Sequence, residues 1–173
     1  PWLTSVMSPV AVPMPPAPRA ESPLASWAVA TMALLIWIPS VAIAANAGVS
    51  VFATGGIGGV HRGSELTGDI SADLDAIASH PVITVSAGAK AFLDLPRTLE
   101  FLETAGAPVL GWRHDWFPAF YTRSSGLPVP HRVEAADEVA RIFAARSRPS
   151  SGVLLAVPIP EAAELDAAEL DAV

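Results

Sequence analysis

Between residues 49 and 160, short apolar runs alternate with stretches whose apolar positions recur at helical spacing. VSVFAT (49–54), VITVSA (82–87), APVLGW (107–112) and GVLLAVPIP (152–160) are short and rich in Val, Leu and Ile. Gly, Pro or Ser stands near their ends, and this pattern predicts buried strands. SADLDAIASH (71–80) predicts a helix with Leu74, Ile77 and Ala78 on one face and Ser71 as its N-cap. PRTLEFLETAG (96–106) predicts a second, since Pro96 suits a first helical turn and Gly106 suits a stop. EAADEVARIFAAR (134–146) predicts a third, with Val139, Ile142 and Phe143 facing inward. Such alternation predicts an α/β fold, a mostly parallel sheet with helices on its faces. In such sheets ligands bind at the carboxyl ends of the strands.

Upstream the pattern changes. Residues 1–23 hold seven of the 17 prolines, which reads as an extended tail, because proline fixes φ and lacks a donor N–H. After Glu21 no charged residue occurs until Arg62. Within that stretch Ala28–Ala45 reads AVATMALLIWIPSVAIAA. About 18 apolar residues is the lower limit for spanning a bilayer. Arg19 ahead of the run and the A-x-A pair Ala42 and Ala44 also fit the core of a signal peptide. Pro39 interrupts the run, and a buried helix followed by a core strand would give the same string. The chain opens on Pro1 with its first methionine at Met7, as expected of a fragment or a misplaced start. Three zones follow: a Pro/Ala-rich tail and apolar segment (1–40), an α/β region (41–161), and an acidic tail or helix start that repeats AELDA (162–173).

Composition narrows the classes. Hydrophobic residues make up 51% and charged residues 16%, against about 25% charged in an average soluble domain, so disorder throughout is excluded. With a net charge of −7 there is no basic face for a phosphate backbone, and a nucleic-acid polymer is not an expected partner. The absence of cysteine removes disulfides, thiolate metal sites and cysteine nucleophiles.

Three motifs carry candidate chemistry. TGGIGG (54–59) follows the first strand. Glycine N–H groups there can cradle an anion, with His61 and Arg62 adding a titratable ring and a phosphate fork; a plain tight turn fits equally. DISADLD (69–75) would place Asp69 and Asp73 four apart on one helix face, a start for a hard divalent cation; helix capping by Ser71 with acids in the first turn accounts for the same residues. Lys90 is the single lysine among ten Lys and Arg residues and lies in VSAGAKAFLD. A lysine desolvated among small apolar neighbours deprotonates more readily and becomes an amine nucleophile, which arginine cannot do; chance survival on a surface loop is the alternative.

In this order and spacing the motifs resemble the pseudouridine-5′-phosphate glycosidase family. VFATGGIGGVHRGSE, DISADL, SAGAKAFLDLPRTLEFLET, PAFYTRSSGLPVPHRV and the strand ending in PIPE all look like that family's blocks, over about residues 41–161. The resemblance implies an α/β/α sandwich, here incomplete at both ends, that assembles as a homotrimer in the cytoplasm. It implies reversible cleavage of the C–C glycosidic bond of pseudouridine 5′-phosphate to uracil and ribose 5-phosphate, with no membrane partner. Residue by residue, Lys90 matches the imine-forming nucleophile and Asp69 the Mn²⁺ ligand. Ser71, Ala72 and Asp73 match the substrate-binding trio, and His61 falls in the same block.

The chain also departs from that pattern. The proton-donor glutamate and a substrate-binding lysine belong to an upstream block without a counterpart in residues 1–40. Trp37 stands where a substrate-contacting valine is expected unless VATM (29–32) is aligned through an insertion. Gly68 replaces an aromatic, Ser86 a cysteine, and Val157 an asparagine. Two other readings remain: an inactive truncated or frame-shifted remnant, and an exported or membrane-tethered α/β binding domain.

Overall fold

The four apolar runs and one further segment form a five-stranded sheet in which every pairing is parallel, in the order β1-β2-β5-β3-β4. A computed structural model of the chain describes residues 40–165. Helix α1 (Ser40–Asn46) leads into β1 (Val51–Ala53). A single turn, α2 (Ser64–Thr67), and helix α3 (Ala72–Ser79) precede β2 (Ile83–Ser86). Helix α4 (Leu95–Thr104) connects to β3 (Val109–Trp112), and residues 113–130 run irregularly to β4 (His131–Val133). Helix α5 (Ala136–Ala144) then returns the chain to β5 (Val153–Ala156), inserted between β2 and β3.

The two faces of the sheet carry separate cores. Successive strand residues point to opposite faces, so Leu154 joins one cluster and Leu155 the other. Leu154 and Val109 pack with Val41 of α1, Leu74 and Ile77 of α3, and Leu95 and Leu102 of α4. Leu110, Val133, Val153 and Leu155 pack against Val139 of α5. Helices thus lie on both faces, the α/β/α layering expected. The caps follow the sequence as well. Ser71 Oγ accepts from Asp73 N–H, and Asp94 Oδ1 accepts from Arg97 N–H. Pro96 falls in the first turn of α4, and Gly106 follows its end at φ 76.

Several sequence expectations change in detail. The strands are shorter than the apolar runs, and β4 was not anticipated. It has three residues, HRV, of which only Val133 is buried, so no alternation marks it. Of the Ala28–Ala45 run, 28–39 lie outside the described residues, as do the Pro-rich tail and Trp37. The rest lies in α1, with Val41, Ala42 and Ala44 buried, and the first strand begins only at Val51, beyond the run. No helix among the described residues is long and apolar enough to cross a membrane. At the other end Glu161–Ala163 form one 3₁₀ turn, and 166–173 lie outside the described residues.

Candidate active site

Because all strands run the same way, β1 and β2 deliver Thr54 and Ala87 to the same edge of the sheet. The segments that follow carry the sequence motifs. The glycine loop after β1 is hydrogen-bonded on both sides. Toward the Lys90 segment, Ile57 N–H donates to Gly88 O at 3.0 Å, and Val60 O accepts from Asp94 N–H at 2.8 Å. Toward the DISAD block, Gly59 O accepts from Ser71 N–H at 3.0 Å, and His61 N–H donates to Asp69 O at 3.1 Å. Gly58 N–H donates to Asp73 Oδ2 at 2.9 Å. One loop therefore holds both candidate blocks.

Those bonds decide what the loop is. The N–H groups of Ile57, Gly58, Val60 and His61 are all engaged within the chain. These four amides, of which Gly58's alone is a glycine's, brace the Lys90 segment, the DISAD block and α4 and are not available to an anion cradle. The brace is also what requires glycine. A Cβ on Gly58 would stand 2.5 Å from Ser71 Cβ and 3.1 Å from Asp73 Oδ2, and backbone and carboxylate could then not meet.

Of the two readings its residues allow, the DISAD block adopts the capped helix start and not the shared carboxylate face. Helix α3 begins at Ala72, after the Ser71 cap, so Asp69 lies ahead of the helix and does not share a face with Asp73. The Asp69 carboxylate is exposed and stands 3.8 Å from His61 Nδ1. The Asp73 carboxylate is half-buried and occupied by Gly58 N–H. Ser71, Ala72 and Asp73 open the helix, with Ser71 N–H taken by Gly59 O and Asp73 N–H by Ser71 Oγ, so capping within the chain occupies these two amides. Among the described residues, no group of three or more His, Asp and Glu side chains converges. What the described residues offer a cation there is the single exposed carboxylate of Asp69, so its other ligands would have to be water or substrate.

Lys90 follows β2 in the loop SAGAK. Of the two settings its sequence allows, the described residues give the surface loop and not the desolvated one, since Lys90 is exposed. Ala89 takes the buried position, and the next residue is turned outward. The amine lies 6.0 Å from the ring centroid of Phe92. The His61 ring lies 6.3 Å from that same ring. Phe92 is itself exposed, so Lys90 and His61 flank one outward-facing aromatic ring. Beside them, Arg62 donates to Ala91 O at 3.2 Å. Arg62 and Ala91 also line an open cleft of about 480 Å³ shared with Leu93, Thr122, Ser124 and Ser125.

Two residues that position this site escaped the sequence reading. Thr98 of α4 is buried; its Oγ1 accepts from Val60 N–H at 2.9 Å and donates to Asp94 O at 2.7 Å. Phe120 in the irregular 113–130 connection has φ 65 and packs on Gly55 and Gly56. A polar residue at a predicted inward position of α4 could have signalled Thr98. No local pattern marks Phe120.

The sequence model of the indigoidine synthase A-like protein family matches residues 29–173. The chain is 57% identical over 129 residues to a pseudouridine-5′-phosphate glycosidase of Methylobacterium nodulans, a match covering 73% of this chain and 38% of that relative. It is 57% identical over 132 residues to the enzyme of the same name from Caldanaerobacter subterraneus subsp. tengcongensis, covering 75% and 43%. Among solved structures it superposes on a prealnumycin C-glycosynthase in complex with ribulose 5-phosphate, with TM-score 0.72 and 43% identity, over 76% of this chain and 44% of that one. A Thermotoga maritima indigoidine synthase A-like protein gives TM-score 0.68 and 36% identity, over 75% and 44%. The chain thus spans about two-fifths of the length of its curated relatives.

Proposed function

Since the chain belongs to the indigoidine synthase A-like family, we propose that it carries the nucleophile and part of the substrate site of a pseudouridine-5′-phosphate glycosidase. The observation that carries this reading is the double attachment of one glycine loop. It fixes the Lys90 segment on one side and the DISAD block on the other. The similarity to enzymes of that name supports it, as does a related C-glycosynthase with a sugar phosphate bound.

A C-glycoside offers no heteroatom leaving group at C1′, so protonation alone does not release uracil. Covalent catalysis by an amine divides the problem. Lys90 Nζ attacks C1′ as the C1′–O4′ bond breaks, and a general acid protonates O4′. The amine then loses a proton, and its lone pair forms C1′=N while the C1′–C5 bond breaks. That electron pair passes into uracil, which takes up a proton at C5. Water hydrolyses the imine, releasing ribose 5-phosphate and regenerating the amine.

The general acid is the upstream glutamate that the resemblance implies. Ser71, Ala72 and Asp73, at the start of α3, are the substrate contacts that the resemblance implies, and His61 lies beside them on the loop. Asp69 would hold Mn²⁺ through one carboxylate and water, and the ion would polarise water and substrate oxygens when bound. In a chimera with a full-length relative, burial of Lys90 under that relative's segments would supply the desolvation that the described residues do not. A homotrimer and a cytoplasmic location rest on the resemblance.

The test is a chimera in which residues 41–161 replace the matching region of the Methylobacterium nodulans relative. Formation of pseudouridine 5′-phosphate from uracil and ribose 5-phosphate, followed by chromatography, is the expected result. A folded chimera that forms no product would overturn the reading.

A further inference from the structure

We propose that Phe120 is a positioning residue that sets the glycine loop and the Lys90 segment against each other. The proposal rests on the glycosidase reading and extends it to a residue outside the three motifs. Phe120 is held at φ 65, a conformation that bulky L-residues rarely adopt and that persists only when the surroundings over-determine it. Two contacts at the sheet edge do so. Its N–H donates to Ala87 O at 2.9 Å, in the loop that leads to Lys90. Its ring lies against the glycine loop, where a Cβ on Gly56 would stand 2.8 Å from Cε2 and one on Gly55 3.3 Å from the same atom.

The residues around Phe120 reinforce the clamp. Ala119 bridges to Gly88. Gly88 has φ 84, and a Cβ there would come within 2.7 Å of the Pro118 carbonyl carbon. Tyr121 meets the Phe120 ring edge-on at 4.4 Å. From the β5 side, Leu165 N–H donates to Tyr121 O at 3.0 Å, and Glu164 Oε1 accepts from Arg123 N–H at 2.8 Å. Phe120 thus joins the loops after β1 and β2 through one residue, by its ring on one side and its amide on the other. Misplacement of a reacting group by about 1 Å can cost about 10²-fold in rate, so the clamp bears on Lys90 without touching substrate.

The experiment uses the chimera described above, with the variants Phe120→Ala, Phe120→Leu, Gly56→Ala and Gly56→Ala/Phe120→Ala. Phe120→Ala should lower kcat and the rate of borohydride-trapped imine formation by about 10²-fold with KM little changed, and Phe120→Leu should recover most of the loss. Gly56→Ala should be impaired, and the double variant should be no worse than Phe120→Ala, because both changes act on one contact. Hydrogen exchange in Phe120→Ala should speed up at both 54–59 and 87–90 while the central strands stay protected. Wild-type kcat in Phe120→Ala, additive losses in the double variant, or faster exchange confined to 118–122 would each overturn the proposal. Failure of the parent chimera to form any imine would instead strike the glycosidase reading. The exchange pattern and the double-variant comparison, read then in thermal unfolding, would still decide the role of Phe120.

Discussion

Replacing Thr98 by Val tests how the glycine loop is anchored. The substitution exchanges a hydroxyl for a methyl of similar size, so it opens little cavity. Thr98 Oγ1 makes two hydrogen bonds, and they are lost unequally. Asp94 O, which accepts from Oγ1, also accepts from Thr98 N–H at 2.9 Å and remains partnered. Val60 N–H has its hydrogen bond at 2.9 Å to Oγ1 in a buried position and is left without an acceptor. One orphaned buried donor costs about 1–3 kcal/mol. Gly59 adds a local constraint, since the space where its Cβ would be lies 3.1 Å from Thr98 Cγ2 and 3.2 Å from Leu93 Cδ1. The loop therefore has little room to find another partner. Urea unfolding of the chain, followed by far-ultraviolet circular dichroism, should show a loss in that range with an unchanged m-value, and the Val60 amide should lose exchange protection. A loss below about 0.5 kcal/mol, the range of neutral surface changes, would refute the argument that this bond anchors the loop.

Four further outcomes are expected. Gly88→Ala should destabilise the chain by more than about 2 kcal/mol in the same assay, because a left-handed residue is strained and the new methyl meets the Pro118 backbone. Lys90→Ala should leave stability within about 0.5 kcal/mol, since Lys90 is exposed, while abolishing product formation in the chimera. Asp69→Ala should remove Mn²⁺ dependence from the chimera, whereas Asp73→Ala should keep the metal, weaken substrate binding and loosen the loop it holds through Gly58; a metal titration on the two variants checks this, and the opposite pattern would reverse the roles. The 173-residue chain on its own should release uracil slowly, because the general acid implied upstream is worth about 10²–10⁴-fold; a continuous uracil assay checks it.

Much of the scaffold was legible because it is local. The apolar runs placed four of the five strands, and Leu74, Ile77 and Ala78 proved buried as their spacing implied. Ser71 and Gly106 act at helix ends by chemistry internal to their own segments. What failed depends on contacts distant in sequence. β4 owes its existence to pairing with β3, not to its own HRV sequence. The spacing of Asp69 and Asp73 fits either a shared helix face or capping by Ser71, and only the fold decides for the cap, which starts the helix between them. The brace role of the glycine loop needs Gly58 and Asp73 to meet, and glycine spacing alone allows a cradle equally. The small neighbours of Lys90 fit either a desolvated amine or a surface loop, and the described residues give the surface loop. Those neighbours include Ala89, which takes the buried position and leaves Lys90 exposed.

The central claim is that Lys90 is the amine that bonds to the sugar. It is tested most directly by borohydride reduction of the chimera in the presence of ribose 5-phosphate, followed by peptide mass mapping. The account requires the reduced sugar-phosphate adduct on the peptide that contains Lys90, and its disappearance in Lys90→Ala. An adduct mapped to another residue, or one that survives Lys90→Ala, would contradict it.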